Sequence, residues 1–341
     1  MKKCALYIGM CQEGSTALMR YSNLKQQLID TFEIGLINIQ IEIDNTPKVY
    51  RSLGWRYKFG PLINKINKRI LSQIDGSNNF DFIWIDKGVF IQPNILKMLK
   101  EKTPKLIHYT PDPAFYYHQS RLFYGGLEYY THVITTKSFE LDLYLNKTDA
   151  KVIYCTQGYD EELHYPRVDF NKKEFDLCFV GHYENNRARI IKSLINQGYK
   201  ISLAGPKWSL FSWKYRNNNN LIYLGSYLRG DAYTHAISNS VASIGFLSKW
   251  IPEKHTTRTF EIPACGTVLI TERTSEIEEC FNDDEVVYYS DSDNLLNVIK
   301  EVFQDKGILR IKSDLGRKKV INGVFSHYKI IHNLLEKLEI G

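Results

Sequence analysis

The stretch EKHTTRTFEIPACGTVLITERTSEIEECF, residues 253–281, places two carboxylates and a cluster of cations ahead of a tight Pro/Gly turn and a buried-looking strand at Val268–Thr271. A helix that stops at a glycine and feeds a short apolar strand is one half of an alternating β/α repeat. Pro263, Ala264, Cys265 and Gly266 read as packing residues, small enough to let the helix approach the sheet. Glu253 and Glu261 stand eight positions apart with Lys254, His255 and Arg258 between them. Such a segment offers cations to phosphate oxygens and carboxylates to vicinal hydroxyls.

The same rhythm extends outward in both directions. Residues 3–9 read as a first strand, followed by a polar turn (Gly9, Gly14, Ser15, Thr16) and a helical pattern from Leu18 to Ile29. Phe82–Ile85, Lys105–Tyr109, Val133–Thr136 and Val152–Tyr154 read as further strands, with Pro93–Lys100 as a helix opened by proline. A polar stretch from Gly158 to Glu174 reads as a linker. A second series then opens at Phe175–Gly181, with a helix over 184–197 and strands at Lys200–Ala204, Tyr223–Gly225, Ala242–Phe246 and Val268–Thr271, a helix around Tyr233–Ser238, and helices over 293–305 and 325–338. Alternation of this kind predicts parallel sheets with helices on both faces, and ligands at the carboxyl ends of the strands. The expectation is an α/β chain of two Rossmann-like, doubly wound domains facing across a cleft. Residues 1–160 form the first, 161–325 the second, and 326–341 a terminal helix crossing back to the first.

Composition agrees with a globular chain. The 341 residues are 43% hydrophobic and 13% aromatic, enough for two cores. Six cysteines, at positions 4, 11, 155, 178, 265 and 280, form no CxxC pair, which argues against zinc and a disulfide framework and for a reducing, cytoplasmic setting. No window approaches the roughly 20 apolar residues of a spanning helix, and the amino-terminal apolar run carries no cleavage signature. Net charge is +6 without a nucleic-acid-binding motif. Residues 45–74 hold seven basic side chains (Lys48, Arg51, Arg56, Lys58, Lys65, Lys68, Arg69) and no acidic one, with Trp55, Tyr57 and Phe59 interleaved. Leu62, Ile63, Ile66 and Ile70 recur at helical spacing, so this is either a basic amphipathic helix on an anionic membrane or lipid-linked acceptor, or a core-packed helix with solvated lysines.

Thr257 to Gly266 followed by Thr271-Glu272-Arg273 resembles the CgeB-like (spore maturation protein) glycosyltransferases. Ile85-Asp86-Lys87-Gly88, Tyr109-Thr110-Pro111-Asp112-Pro113 and Phe179-Val180-Gly181-His182 sit where that family has similar words. The family is GT-B, similar to the larger retaining GT-B group, whose two-glutamate motif Glu253 and Glu261 satisfy. The resemblance implies transfer of a sugar from a nucleotide-diphosphate sugar, UDP-sugar foremost, to a glycan, lipid-linked or protein acceptor. By the same carry-over Arg258 meets the diphosphate, Glu261 the ribose hydroxyls and Glu253 the transferred sugar. Lys254, His255 and Thr259 belong to the same donor segment.

Gly181, His182 and Arg187 follow the second domain's first strand, where backbone amides and a guanidinium suit phosphate. The Gly205–Trp208 or Gly225–Gly230 turn is placed to read the base, with Trp208 either stacking on it or packing locally. In the first domain Lys87 and Asp112 end strands on the acceptor side, and Asp112 or His118 is the candidate base; the Pro-Asp-Pro turn equally reads as loop shaping. An Asp-x-Asp word occurs only at Asp291-Ser292-Asp293, late in the second domain, so no metal is expected and cations neutralise the leaving diphosphate. A GT-B nucleotide-sugar epimerase and a non-catalytic nucleotide-sugar-binding scaffold are the competing readings.

Overall fold

In the computed structural model, which describes residues 2–74 and 79–341, contacts gather into two units: Met1–Thr156 with Ile331–Gly341, and Gln157–Ile330. Each unit is built on one six-stranded sheet whose paired strands all run parallel.

The first sheet contains β1 (Lys3–Gly9), β2 (Phe32–Asn38), β3 (Phe82–Asp86), β4 (Leu106–Thr110), β5 (His132–Thr135) and β6 (Lys151–Tyr154), in the order β2-β1-β3-β4-β5-β6. Every residue of FIWID and LIHYT is buried, because a parallel strand covered by helices on both faces is apolar throughout rather than alternating. The edge strand β2 alternates over its first four residues. The first helix runs Thr16–Gln27, beginning two residues before the expected start because the Ser15 hydroxyl accepts the Leu18 N–H.

A charge pair lies within this sheet's core. Asp86 receives Nε and Nη2 of Arg20 at 2.6 and 3.1 Å, the Tyr7 hydroxyl donates to its Oδ2 at 2.8 Å, and the Arg20 guanidinium lies 4.6 Å from the Tyr109 ring centre. Two-pronged pairing with full hydrogen bonding offsets the desolvation of two charges.

The apolar stripe Leu62, Ile63, Ile66 and Ile70 of the helix Pro61–Gln73 is buried in the first core. Of the two readings of that stripe, the core-packed one holds: it is spent against the sheet and has no face left for a membrane. Glu140, fully buried, accepts the N–H groups of Ala114 and Phe115 at 3.0 and 2.8 Å and so ties down the loop after β4. Burial pushes its carboxyl up to about 7. The Lys105 and Lys151 ammonium groups donate to the carbonyls of Leu338 and Lys337, the usual place for cations at a helix end.

The second sheet contains β7 (Phe175–Val180), β8 (Ile201–Ala204), β9 (Leu221–Tyr223), β10 (Ser240–Gly245), β11 (Val268–Glu272) and β12 (Val287–Tyr289), ordered β9-β8-β7-β10-β11-β12. Strand order reverses between β7 and β10, the doubly wound arrangement of nucleotide-binding sheets. Residues 157–174 belong to this unit: Ser238 Oγ accepts the Arg167 N–H, and the partly buried Lys173 ammonium donates to the carbonyls of Ser238, Ser240 and Gly266. The helix Lys306–Asn322 was not anticipated. Its buried face is Leu309, Ser313, Gly316 and Val320, so the stripe contains small and polar residues and carries no apolar period. Gly316 is required there, since a Cβ would lie 2.5 Å from the Glu285 carbonyl oxygen.

Two outcomes follow from this packing. Gly205 has φ +134°, and a Cβ on it would stand 1.9 Å from the Gly181 carbonyl oxygen. Gly205→Ala is expected to destabilise the second unit by about 3 kcal/mol, read as a lower urea midpoint at unchanged slope. The Glu140 carboxyl has a folded-state value raised from 4.5 to about 7, so its contribution is complete below the unfolded value and is lost as pH climbs to the folded one. Between about pH 4.5 and 7 the stability of Glu140→Gln should therefore rise relative to wild type; a constant difference across that range would contradict the assignment.

Candidate functional site

At the switch point of the second sheet, the loop after β7 (residues 181–184) and the loop after β10 (residues 246–257) leave neighbouring strands, so side chains 60 to 80 positions apart in sequence meet. The first loop is rigid. The Gly181 N–H donates to Ala204, the Tyr183 N–H to Pro206, and Trp208 Nε1 to the Gly181 carbonyl at 2.9 Å. Trp208 is fully buried edge-on to Phe179 and Phe211, so of its two readings local packing holds and base stacking does not: the indole holds the loop. In the turn Gly225–Gly230 it is Tyr227 that exposes its ring, at 75%.

Arg187 lies in the first turn of the helix Asn185–Asn196, buried between loops rather than reaching outward. It pairs with Glu184 at 2.7 Å, donates to the carbonyls of His182 and Leu247, and lies over the rings of Phe179 and Phe246. Expected at the phosphates, it instead bridges the two loops. The ring of His182 is exposed beside Gly181.

In the second loop the donor candidates divide into spent and available groups. Glu253 turns the loop by accepting the Ser248 N–H at 2.9 Å. His255 is 4% exposed with both ring nitrogens used: Nδ1 meets Glu276 at 2.5 Å and Nε2 accepts the Gln157 N–H. Lys254 is partly exposed, 3.8 Å from Glu276. Thr259 is buried, its hydroxyl accepting the Thr256 N–H at the start of the helix Arg258–Ala264. His255 and Thr259, both expected to touch a donor, are thus internal braces.

Arg258 and Glu261 remain. Arg258 has no carboxylate partner among the described residues, and its Nε is buried without a hydrogen bond. Its positive field acts on the already desolvated Arg187 and helps to lower that guanidinium's pKa, after burial as the leading cause. Two guanidiniums near each other, only one of them neutralised, make a seat for an anion. Glu261 is 12% exposed; its Oε2 accepts the Tyr233 hydroxyl at 2.5 Å and its Oε1 lies 3.8 Å from His164 Nε2. Burial first, then the Glu261 charge, raises the Tyr233 phenol well above its ordinary value, so it stays a donor. Tyr233 and His164 had no signal in the sequence: they lie 28 and 97 positions from Glu261, on other elements.

In the first unit Lys87 and Asp112 form a 2.6 Å pair at the ends of β3 and β4, with His118 Nε2 3.6 Å from the same oxygen. Lys87 and Gly88 both adopt left-handed backbone, φ 65° and 61°, which turns the lysine toward Asp112. Burial opposes ionisation of Asp112, but His118 and Lys87 together hold its carboxyl well below the usual range. A carboxylate so stabilised is a weak base at neutral pH; its geometry suits accepting a hydrogen bond and orienting a hydroxyl. Among the described residues no three His, Cys, Asp or Glu side chains are grouped to hold a metal ion.

Comparison with known proteins follows the same division. Residues 187–333 match a family model described as glycosyl transferase-like. No curated protein matches. Among solved structures, the sucrose-phosphate synthase of Thermosynechococcus elongatus is 12% identical, with 99% of each chain covered and a TM-score of 0.69. Anabaena HepE in complex with UDP and glucose is 12% identical, 99% of each chain covered, TM-score 0.67. A putative UDP-N-acetylglucosamine 2-epimerase from Listeria monocytogenes is 10% identical over 99% of this chain and 96% of its own, TM-score 0.61. At such identities the likeness speaks for the fold alone: this is an α/β chain with two parallel sheets like those of GT-B glycosyltransferase structures, and residues 187–333 of it match the glycosyl transferase-like model.

Proposed function

We propose that the chain is a glycosyltransferase that takes a sugar from a nucleotide-diphosphate sugar, with UDP as the nucleotide, the second unit as donor domain and the first as acceptor domain. The observation that carries this reading is Arg258, a guanidinium without a carboxylate at the switch point of a doubly wound sheet, beside the Glu261 carboxylate oriented by Tyr233. The guanidinium suits a diphosphate, and the oriented carboxylate suits two vicinal ribose hydroxyls. In transfer, the bond from the anomeric carbon to the diphosphate breaks, a bond from an acceptor oxygen to that carbon forms, and the acceptor's proton passes to the leaving diphosphate. Arg258 stabilises the charge growing on that diphosphate without a metal, Glu253 takes the role of contacting the transferred sugar that the resemblance implies, and Asp112 with Lys87 orients the acceptor. Retention of configuration goes with this arrangement, since no protein base is then needed opposite the leaving group. The match over residues 187–333 and the words from Thr257 to Arg273 support a place among the CgeB-like enzymes, and six free cysteines support a reducing, cytoplasmic setting.

A second reading, a nucleotide-sugar epimerase, draws support from the fold likeness to UDP-N-acetylglucosamine 2-epimerases. It requires the sugar to be altered in place with the donor regenerated or hydrolysed, not passed to an acceptor.

Calorimetric titration with UDP, GDP, CDP and ADP and their sugar conjugates tests the donor site. One nucleotide class should bind wild type, with affinity about 10- to 100-fold weaker in Arg258→Ala and about 10-fold weaker in Glu261→Ala. Absence of binding to wild type would sink the reading. Once a donor is known, Asp112→Asn should keep its nucleotide affinity and lose turnover with acceptor. A sugar epimerised at C2 in the proton NMR spectrum, without acceptor, would move the assignment to the epimerase.

A further inference from the structure

The apolar stripe of helix Pro61–Gln73 is consumed by the core, but the helix before it, Lys48–Tyr57, is not. It meets the protein through Gly54, the one buried residue of the helix, where a Cβ would stand 2.8 Å from Leu62, and through Trp55, whose ring lies edge-on to Phe90 at 4.7 Å. Around it, large hydrophobic side chains stand in solvent: Val49 is 69% exposed and Phe59, just past the helix, 64%, with Tyr50, Leu53 and Tyr57 between 44% and 53%. Val49, Tyr50, Leu53 and Tyr57 fall within about 100° of one another on the helix, a single apolar stripe. Isolated exposed hydrophobics are ordinary, but a continuous stripe of this kind is an interaction surface.

The charge beside the stripe decides what covers it. Lys48, Arg51, Trp55 and Arg56 share the adjoining face, following the same 3.6 period. Among the described residues no carboxylate pairs with Lys48, Arg51, Arg56, Lys58 or Lys68, and residues 45–74 contain no acidic side chain at all. Next to the helix a cavity of about 620 Å³ is lined by Arg56, Lys58, Phe59, Gln92, Gln119 and Arg121 among others, again with no acid. In its lining the Lys58 ammonium donates to the Trp55 carbonyl at 2.7 Å and lies over the rings of Trp55 and Phe90, 5.0 and 4.6 Å from their centres. Lys58 itself adopts left-handed backbone, φ 56°, so the chain turns sharply here and places Phe59 beside the cavity.

We propose that the face formed by residues 48–59 docks on an anionic lipid bilayer, with the apolar stripe and aromatic rings at the headgroup level and the Arg56–Lys58–Arg121 cavity receiving a lipid phosphate. Tyrosine and tryptophan favour the membrane interface, and each basic side chain near an anionic surface strengthens binding about fivefold. A helix of ten residues with a short apolar stripe lies in the interface and does not cross it. No helix of the described residues is long and apolar enough to span a membrane. This docking is independent of the donor site, and its test uses no nucleotide.

The full chain is sedimented with vesicles of phosphatidylcholine alone and of phosphatidylcholine with phosphatidylglycerol at roughly three to one, at about 0.1 M salt. Binding is expected for the anionic vesicles and to fall as salt rises. Lys48→Glu/Arg51→Glu/Arg56→Glu should weaken it about 100-fold, and Leu53→Ser/Phe59→Ser several-fold, with circular dichroism and melting temperature unchanged because four of the five residues are exposed and Arg51 is only partly buried. The triple variant Lys300→Glu/Lys306→Glu/Lys318→Glu, exposed lysines of the second unit, should bind as wild type. Failure of wild type to bind anionic vesicles would overturn the proposal, as would equal loss in the two triple variants. Dextran sulfate bound without dependence on Leu53 and Phe59, in the absence of vesicle binding, would assign the face to a soluble polyanion instead.

Discussion

The approach of Gly205 to the carbonyl of Gly181 is the constraint on which the second unit's site is built. No side chain fits between these two backbones, and the contact brings the ends of β7 and β8 together so closely that the Gly181 carbonyl receives Trp208 Nε1 and the Pro206 carbonyl receives the Tyr183 N–H. The loop after β7 is therefore fixed before any ligand arrives. Arg187, at the start of the next helix, then bridges that loop to Leu247, and the loop after β10 acquires its position from the first. A site preorganised in this way does not spend binding energy on ordering its own backbone.

The first unit solves a different problem with a similar economy of contacts. Asp86 ends β3 as a carboxylate inside an apolar sheet, tolerable because Arg20 meets it with two prongs and Tyr7 and Tyr109 enclose the pair. One residue later Lys87 turns out through left-handed backbone to reach Asp112. The two charged neighbours thus take opposite roles: the first is locked in the core, the second is presented at the end of the strands.

Charge accounting separates bracing residues from those open to a ligand. Glu276 is committed to His255, Glu184 to Arg187, and Glu272 to Lys249, each within ordinary ion-pair distance. Against this background of paired groups Arg258, at the switch point, is a cation with no carboxylate partner among the described residues and an unmet hydrogen-bond donor, and the cations of the basic helix Lys48–Tyr57 likewise meet no carboxylate among the described residues. Both point to partners that are anionic and come from outside the chain.

The alternation of short apolar runs with amphipathic helices was legible in the sequence because both signals are local: a buried parallel strand is apolar at successive positions, and a helix repeats every 3.6 residues. The α/β class and ten of the strands came from such local signals, whereas Arg258 and Glu261 became candidates through the resemblance of the segment Thr257–Arg273 to CgeB-like glycosyltransferases. Where the local signal faded, so did the reading: β2 alternates over only part of its length, β12 is three residues long, and the helix Lys306–Asn322 packs through Ser313 and Gly316. Only the tertiary structure decided which charges were free. His255 is spent because Gln157 and Glu276 reach it from 98 and 21 positions away, Arg187 because Leu247 does so from 60, and Glu261 is oriented by Tyr233 from 28. Hydrogen bonds and ion pairs satisfy whatever polar group folding brings within about 3 Å, without regard to separation along the chain, so no spacing rule could assign them.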